Sequence, residues 1–219
     1  MKKTEQKIYT NKGNIDVLNE ISTSNNIILD IGCGGGDNAK ILFKNNNTVD
    51  GITLSEIELK EAQPFLRKGY IHNLESGLPH LIEKYDFVIC SHVIEHIAYP
   101  EKLLRDIKSI LKEDGKFIVA LPNVMHYKSR IELLKGNFPS QETGIWDNTH
   151  LRWYTFLTAQ KLLTENGFII KKAWVSGEFP FLTVFKFIPS DIRKKMLNGL
   201  TKISKGFFGN QLLYLVQKE

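Results

Sequence analysis

The sequence predicts an α/β fold in which a doubly wound, mostly parallel sheet carries helices on both faces. Apolar runs alternate with segments of helical periodicity, a glycine-rich loop follows the first run, and the length suits one well-buried domain. With 219 residues, of which 42% are hydrophobic, the chain is too short for two full domains. We therefore expect a single domain over residues 1–219, opened by an N-terminal segment at residues 1–25.

The first part of the chain contains a complete strand–helix–strand unit. Residues 26–31 are an apolar run that ends in a glycine cluster, which is typical of a buried strand entering a tight loop. Residues 37–43 have helical periodicity, and residues 48–52 are apolar again. Ser55 is placed to cap a helix over residues 55–65.

The middle of the chain repeats this alternation. Residues 70–73 predict a weak third strand and residues 85–90 a strong fourth one. Leucine and isoleucine recur at helical spacing over residues 100–111, and we expect Gly115 to end that helix. Residues 116–121 then predict a fifth strand. Strands joined through helices in this way run parallel.

The C-terminal part adds one helix, two strands and an insertion. Residues 156–166 predict the helix, and residues 168–175 and 212–216 predict the sixth and seventh strands. The insertion, residues 178–208, lies before the last strand and contains an amphipathic helix. Its apolar positions are Ile192, Met196, Leu197, Leu200 and Ile203.

The net charge of +5 is concentrated in this insertion. Between Lys186 and Lys205 there are six basic residues and one acidic residue, so the rest of the chain is nearly neutral. A basic amphipathic helix suits peripheral contact with an anionic membrane through residues 179–208, but it also suits a cap over a substrate pocket or a subunit contact. A solvated basic face above a packed apolar face is the simplest alternative. No nucleic-acid partner is expected, because the patch is short and no recognised binding module accompanies it.

Other features argue against export and against a membrane span. The first 14 residues are polar, and no apolar segment approaches the roughly 18 to 20 residues that cross a bilayer. The two cysteines, Cys33 and Cys90, are too few for a disulfide scaffold. We expect a cytoplasmic protein.

The sharpest functional signal is the loop at residues 29–37, LDIGCGGGD. Gly32, Gly34 and Gly36 allow positive φ and a close approach of a ligand to the backbone, where a helix N-terminus favours an anion such as a carboxylate. The same spacing also fits a dinucleotide fingerprint, with Asp50 near the position expected for the acidic residue. A nicotinamide cofactor therefore stays an open alternative.

The run D-I-G-C-G-G-G resembles motif I of class I S-adenosylmethionine-dependent methyltransferases, with Asp30 at the acidic position. The resemblance extends from about residue 26 to the C-terminus. It implies a Rossmann-like, seven-stranded sheet with an antiparallel last strand and S-adenosylmethionine as the cofactor. The cofactor contacts that it implies are Asp30, Gly32, Cys33, Gly34, Gly36, Thr53, Leu54, Glu58, Asn73, Leu74, Ser91 and His92.

Two of these positions depart from the usual pattern of that superfamily. Thr53 stands where an acidic residue usually holds the ribose, and with Glu58 five residues later it resembles the cyclopropane fatty acid synthase branch, where Thr and Gln share the ribose. Asn73 stands at the adenine-contacting acid, although its carbonyl can still accept a hydrogen bond. The alternatives are a strand end at Thr53, a solvated helix charge at Glu58 and a plain loop at Asn73.

The segment His92-Val93-Ile94-Glu95-His96 matches the inverted zinc-peptidase signature, which would need both histidines on one helical face. It also resembles a stretch that methyltransferases place after the fourth strand, which makes His92, Glu95 and His96 candidate site residues. In that case Glu95 and His96 act in catalysis or only tie loops together. Some ubiquinone-biosynthesis O-methyltransferases link a comparable Glu-His pair to a divalent metal, but His92 replaces one expected Glu, so no metal is expected.

Two later segments supply the remaining catalytic candidates. Residues 122–126 and 147–152 resemble the "PN" and "D-x-T-H-L-R" elements of a subgroup that often modifies cell-surface sugars and lipids. His150 is the leading candidate for a general base, followed by His126 and then His96. Each could instead be a buried, hydrogen-bonded histidine. The aromatic residues nearby, which could form a lid or simply pack, are Phe138, Trp146, Trp153 and Tyr154.

These observations favour a methyltransferase that acts on a small-molecule, sugar or lipid-linked acceptor, with O-methylation favoured. One alternative is a nicotinamide-dependent oxidoreductase that uses the same glycine loop. Another is a non-catalytic protein of the same fold that works as an adaptor, which the departures at Thr53 and Asn73 and the basic insertion suggest.

Overall fold

The computed structural model describes residues 12–177 and 187–219. Its central sheet has seven strands in the order β3-β2-β1-β4-β5-β7-β6. The strands are β1 Ile27–Ile31, β2 Thr48–Thr53, β3 Lys68–Ile71, β4 Tyr85–Ser91, β5 Leu111–Pro122, β6 Phe168–Ser176 and β7 Gln211–Lys218. β7 is antiparallel to both of its neighbours, whereas the pairs among β1 to β5 are parallel. The predicted seven-stranded sheet with an antiparallel last strand is therefore confirmed.

Helices fill the connections between the strands. They are α1 Ile15–Leu18, α2 Asp37–Lys44, α3 Glu56–Ala62, α4 Pro100–Ile110, α5 Tyr127–Leu134, α6 Phe156–Glu165, α7 Ser190–Ile203 and α8 Lys205–Phe208. Short 3₁₀ turns occur at Gln63–Phe65, Leu74–Ser76 and Ile94–His96. Within the described part of the chain, no helix combines the length and the apolar character that crossing a bilayer would require.

The core consists of two apolar layers, one on each face of the sheet. One layer contains the buried residues of α4 and α6, and the other contains those of α1 and α2. The central strands β1 and β4 are covered on both sides, which explains why their sequences are nearly continuous apolar runs rather than alternating ones.

Two boundaries differ from the sequence-based prediction. α4 ends at Ile110 and β5 begins at Leu111, so Gly115 does not end the helix. Leu111 pairs with Tyr85 before the register shifts, and a Cβ on Gly115 would lie 2.9 Å from the carbonyl oxygen of Tyr85. The glycine thus allows two backbones to approach closely. The third strand also begins earlier than expected, at Lys68.

The strand order reverses between β1 and β4, because β2 and β3 extend the sheet to one side and β5 to the other. In open α/β sheets, ligands bind beyond the carboxyl ends of the strands at such a switch point. We refer to this side of the sheet as the carboxyl edge. The insertion predicted at residues 178–208 supplies α7 and α8, and its first part, residues 178–186, lies outside the described residues.

Candidate active site

The first component of the site is the carboxylate of Asp30 near the end of β1. The residue is fully buried, and neither carboxylate oxygen has a hydrogen-bond partner among the described residues. Burial raises the pKa of Asp30 to about 7, and the nearby Asn38 side chain opposes this rise. A buried carboxylate without a partner destabilises the fold, and for this reason Asp30 is a candidate for binding a ligand.

The glycine loop after β1 has the backbone conformation that its sequence predicts. Gly32, Gly34 and Gly36 have φ values of 73°, 51° and 85°, all in the left-handed region. A Cβ on Gly32 would collide with the Val93 side chain, and one on Gly36 would lie 2.8 Å from Cα of Ala62. The loop therefore reaches the N-terminus of α2 through positions that only glycine fits well.

Thr53, which replaces the usual acidic residue at the end of β2, is hydrogen-bonded to a second residue. The hydroxyl of Thr53 donates to Oε2 of Glu58 at 2.6 Å, and both residues are buried. Ser55 holds the geometry, because its Oγ accepts from the Glu58 backbone N–H at 3.4 Å and caps α3. The structure thus brings together the two residues that the resemblance assigns to the ribose.

Four further residues near this end of the sheet were predicted to contact the cofactor. Asn73 is exposed, and its Oδ1 accepts from the Glu75 backbone N–H at 3.0 Å, which leaves a second lone pair of that oxygen for a ligand. Leu54 is exposed and Leu74 is half-buried. Cys33 is buried, and burial raises the pKa of its thiol well above the usual range, so it acts as a small apolar residue.

His92 follows β4 with a φ of 56°, an unusual value for a residue with a side chain. Its Nε2 lies 2.6 Å from Oε1 of Gln211, and its Nδ1 lies 3.3 Å from Oε1 of Glu95. Desolvation lowers the pKa of His92, but the hydrogen bond and charge of Glu95 outweigh that effect, and the net shift is upward. Both ring nitrogens therefore face acceptors, which favours the imidazolium form.

The Asn14 side chain links this group to the N-terminal segment by donating to Ser91 Oγ at 2.9 Å and to Gln211 Oε1 at 2.8 Å.

The segment after His92 does not form an α-helix. Ile94–His96 is a single 3₁₀ turn, and the His92 side chain is directed to Glu95 and Gln211. The two histidines of the H-x-x-E-H pattern therefore do not project from one helical face, and the zinc-peptidase interpretation is wrong.

Residues 147–152, the D-x-T-H-L-R element, are hydrogen-bonded directly to the turn that contains Glu95. The backbone N–H groups of Leu151 and Arg152 both donate to the carbonyl oxygen of Glu95, at 2.9 and 3.0 Å. Asp147 fixes the preceding turn, because its Oδ1 accepts from the backbone N–H of Thr149 at 2.9 Å and from its hydroxyl at 2.6 Å. These hydrogen bonds on both sides of His150 place that residue at the carboxyl edge of the sheet.

Glu95, His96 and His150 meet there and form what we name the Glu-His-His cluster. Glu95 is fully buried, and His150 Nε2 lies 4.0 Å from its Oε1. The two imidazole rings pack edge to face, with centroids 4.7 Å apart. The Nδ1 atom of His96 lies 3.2 Å from the carbonyl oxygen of Thr149, and that of His150 lies 3.1 Å from the carbonyl oxygen of Ile145.

These carbonyl contacts determine the tautomers of the two rings. A carbonyl oxygen only accepts, so Nδ1 of each histidine carries the proton and Nε2 carries a lone pair in the neutral ring. Burial lowers the pKa of His150; His96 adds to this effect and Glu95 opposes it. His150 is therefore neutral at physiological pH and can accept a proton at Nε2, where the Glu95 carboxylate would stabilise the resulting imidazolium.

The same cluster offers one carboxylate and two imidazoles, a donor set that transition metals accept. Its ligand atoms lie within 4.8 Å of one another, whereas a tetrahedral ion with bonds of about 2.0 to 2.1 Å separates its ligands by only about 3.4 Å. Glu95 Oε1 also lies 3.3 Å from His92 Nδ1, which competes with an ion for the carboxylate. As arranged, the cluster fits a proton acceptor better than a metal site.

Asp50, the acid required by the dinucleotide alternative, has a structural role. It is fully buried within β2 and accepts from Arg67 Nη2 at 2.6 Å, from Arg67 Nε at 2.9 Å and from the Tyr85 hydroxyl at 2.8 Å. This carboxylate is fully hydrogen-bonded inside the sheet. It is therefore not at the strand end, where it could bind the ribose of a nicotinamide cofactor.

The other candidates lie beyond β5. His126 is buried at the N-terminus of α5, with its ring 4.4 Å from that of Tyr127, and it lies outside the Glu-His-His cluster. The aromatic residues divide into two groups. Phe138 packs edge to face on Trp146 and Trp153, at centroid distances of 4.6 and 5.4 Å. Tyr154 belongs to the core instead.

The sequence analysis did not identify Asn14 and Gln211. Their side chains are hydrogen-bonded to each other at the carboxyl edge, although the two residues lie 197 positions apart in the chain. Gln211 Nε2 also donates to Ser176 Oγ at 2.9 Å, so the start of β7 and the end of β6 meet there. Single polar residues beside apolar strands occur throughout the chain, and no local pattern singles these two out.

Comparisons with known proteins agree with this fold. A family model described as a methyltransferase domain matches residues 4–172. The mitochondrial ubiquinone biosynthesis O-methyltransferase of Bos taurus is 28% identical over 156 residues, which are 66% of this chain and 41% of that enzyme. The chain thus spans less than half the length of this relative.

Two solved structures resemble most of the chain at low sequence identity. An S-adenosylmethionine-dependent methyltransferase from Archaeoglobus fulgidus has a TM-score of 0.63 and 20% identity, covering 94% of this chain and 92% of that one. Magnesium protoporphyrin IX methyltransferase from Synechocystis PCC 6803, solved with bound SAH, has a TM-score of 0.60 and 17% identity, covering 94% and 80%. Together with the match over residues 4–172, these similarities show that the chain belongs to the methyltransferase-domain family and has its Rossmann-like, class I fold.

Proposed function

We propose that the chain transfers a methyl group from S-adenosylmethionine to a hydroxyl group of a small-molecule acceptor, with His150 as the general base. The observation that carries this proposal is the Glu-His-His cluster at the carboxyl edge of the sheet, where β4, the strand before Glu95, pairs with β1, the strand of Asp30. Glu95 and Asp30 both raise the pKa of the Cys90 thiol, after the larger effect of burial, so the two carboxylates lie within electrostatic range of one residue.

The residues around the glycine loop fit S-adenosylmethionine. The buried carboxylate of Asp30 suits the positive charge of the methionine part, and the left-handed loop presents backbone at the N-terminus of α2. The Thr53–Glu58 pair suits the two ribose hydroxyls, and Asn73 retains a lone pair for the adenine amino group. When bound, the cofactor would supply an electrophilic methyl group on its sulfonium.

The acceptor is proposed to be an oxygen nucleophile. The bovine relative is named as an O-methyltransferase of ubiquinone biosynthesis, which supports a hydroxyl on a small molecule. The resemblance of residues 122–126 and 147–152 to a sugar- and lipid-modifying subgroup favours a sugar or lipid-linked hydroxyl as the finer assignment. Phe138 and Trp153 are 59% and 41% exposed beside this edge and would cover such an acceptor.

In this mechanism the chain aligns the acceptor and removes one proton. Nε2 of His150 takes the hydroxyl proton as the new carbon–oxygen bond forms. The bound cofactor would supply the methyl carbon and would keep the electron pair of the carbon–sulfur bond. Glu95, 4.0 Å from His150 Nε2, stabilises the imidazolium that results. A metal ion bound in the cluster would occupy the same nitrogen lone pair, so no step passes through one.

Calorimetric titration tests the cofactor assignment. The native chain and Gly34→Val would each be titrated with S-adenosylmethionine, S-adenosylhomocysteine and NADH. We expect micromolar binding of the two sulfur cofactors by the native chain and loss of that binding in the variant, because a valine does not tolerate the φ of 51° at this position. Binding of NADH alone would favour an oxidoreductase, and binding of none of the three would favour an adaptor.

Methyl transfer itself would be followed with radiolabelled S-adenosylmethionine. Candidate acceptors would be a catechol, a set of nucleotide sugars and a polyprenyl-linked sugar, each also offered to His150→Asn. Label on a hydroxyl oxygen that depends on His150 supports the proposal. Label on nitrogen or carbon, or transfer that His150→Asn leaves intact, contradicts it.

A further inference from the structure

Helix α7 carries apolar residues on two sides, and those on one side, Leu197 and Leu200, are half-buried. Asn198, Thr201 and Lys202 of this helix line an open cavity of about 240 Å³ together with Trp174 and Val175 of β6. An amphipathic helix on a globular domain normally turns its apolar stripe inward. Leu197 and Leu200 follow this rule, but three other apolar residues of the helix do not.

The other three apolar residues of α7 form a stripe that is exposed to solvent. At 100° per residue, Ile192, Met196 and Ile203 lie within about 40° of one another around the helix axis, well away from the cavity-lining positions. Their exposed fractions are 50%, 43% and 81%. Phe187, just before the helix, is 79% exposed. The alternative of an apolar face packed on the domain therefore fits Leu197 and Leu200 but not the exposed stripe.

Basic residues flank the stripe on both sides. Lys195 and Lys202 lie along one flank, and Arg193 lies on the other. Residues 187–208 contain five basic residues and one acidic residue, Asp191. The exposed outer face of α7 thus combines apolar side chains with a row of cations.

We propose that the outer face of α7 binds the surface of an anionic lipid bilayer. The stripe would enter the boundary between headgroups and acyl chains, while the flanking cations contact lipid phosphates. A second copy of the chain fits less well, because a two-fold contact would oppose two rows of like charge. A nucleic acid would engage the cations but leave the apolar stripe in water. The inference does not depend on the proposed methyl transfer.

The helix pair α7 and α8 is connected to the carboxyl edge of the sheet. The Asn123 side chain, just beyond β5, donates to the carbonyl oxygens of Gly206 and Gly209 at 3.0 and 2.6 Å. The Tyr127 ring stacks on that of Phe207, with centroids 6.0 Å apart. A bilayer bound at α7 would therefore lie next to the side of the domain that carries the Glu-His-His cluster.

Vesicle co-sedimentation tests this proposal with the full chain. The probes are vesicles of phosphatidylcholine alone and vesicles containing about one third phosphatidylglycerol. Two variants separate the two contributions: Ile203→Asp removes an apolar contact, and Lys195→Glu with Lys202→Glu reverses two charges. Ile82→Asp is the matched control, since Ile82 is 88% exposed in the loop before β4.

We expect the native chain and the Ile82 control to bind the anionic vesicles and to be released by 0.5 M salt. Each basic side chain contributes roughly fivefold to such binding, so the double charge reversal should weaken it at least tenfold. Ile203→Asp should weaken binding by a similar factor. These positions are exposed, and unchanged circular dichroism and thermal unfolding would show that the variants fold.

Three results would overturn the proposal. The first is equal binding to neutral and anionic vesicles, or no binding to either. The second is a dimer on size exclusion that Ile203→Asp dissociates, which would assign the stripe to a second copy. The third is binding to a DNA oligonucleotide that the charge reversal abolishes while vesicles are ignored. None of these readouts uses methyl transfer, so each is independent of the proposed function.

Discussion

Nε2 of His150 faces Oε1 of Glu95 across 4.0 Å, while Nδ1 of the same ring is held by the carbonyl oxygen of Ile145 at 3.1 Å. The carbonyl fixes the proton on Nδ1 and directs the basic nitrogen toward a fully buried carboxylate. Glu95 in turn lies 3.3 Å from His92 Nδ1, so its negative charge is already balanced before a reaction begins. Both contacts raise the pKa of His150, but burial outweighs them, so the ring stays neutral and ready to accept a proton.

Replacing His150 by Asn should remove the proton acceptor without disturbing the cofactor loop. We expect kcat for O-methylation to fall roughly 10² to 10⁴-fold, the usual contribution of general base catalysis. The dissociation constant for S-adenosylmethionine should stay within about twofold. His80→Asn is the matched control, since His80 is exposed in the loop before β4. A variant that loses cofactor binding and activity together would assign His150 a structural role instead.

The pH profile of kcat should report the same group. Burial lowers the pKa of His150 below its ordinary value of 6.5, so the neutral, active form dominates at physiological pH. The rate should therefore rise with pH through a midpoint below 6.5 and then level off. In His150→Asn this limb should vanish. A midpoint above 6.5 would show that another group controls the reaction.

Much of the fold could be predicted from the sequence because its signals are local. The strands are apolar runs that are buried on both faces, and the loop needs glycine at 32, 34 and 36 because each φ is positive. Thr53 and Glu58 were predicted as a pair since a strand end and a capped helix turn bring positions five apart together.

The Glu-His-His cluster could not be derived in this way. The backbone hydrogen bonds from Leu151 and Arg152 to Glu95 join segments more than 50 residues apart, and periodicity carries no information about such contacts. The orientation of α7 could not be predicted from the sequence for a different reason. Its pattern of apolar residues does not show that Leu197 and Leu200 are half-buried while Ile203 is exposed.

Thr53 and Glu58 should act as one unit in cofactor binding. Thr53→Val and Glu58→Gln each remove part of a buried hydrogen-bonded pair, so each should weaken S-adenosylmethionine binding roughly tenfold. The double variant should lose less than the sum, with a coupling of about 0.5 to 3 kcal/mol. Thr48→Val, at the opposite end of β2, is the control. Additive losses would mean that the two side chains contact different parts of the ligand or none.

Metal ions should inhibit the enzyme rather than support it. Dialysis against a chelator should leave the rate unchanged, whereas micromolar Zn²⁺ should reduce it, because an ion drawing the cluster together would occupy Nε2 of His96 and His150. His126→Asn should not alter this inhibition, since His126 lies outside the cluster. Activity that a chelator abolishes and Mg²⁺ or Mn²⁺ restores would reverse the conclusion and make Glu95 and the two histidines ligands.

Asp30 should make the stability of the unliganded protein depend on pH. Its pKa is raised from 3.8 to about 7 because the ionised form is buried without a hydrogen-bond partner among the described residues. Between these values the folded chain holds a proton that the unfolded chain has released. The free energy of unfolding therefore falls as pH rises across this interval.

Asp30→Asn removes this titration and should separate stability from function. Relative to the native chain, the variant should gain about 2 to 3 kcal/mol in free energy of unfolding between pH 5 and pH 8, measured by urea denaturation without cofactor. Its S-adenosylmethionine affinity should fall at least tenfold, since the charge that suits the cofactor is lost. Asp114→Asn, an exposed position, is the control. A stability difference that is the same at both pH values would mean that Asp30 is stabilised in its ionised form by the folded chain itself, and its role as a carboxylate reserved for the ligand would be wrong.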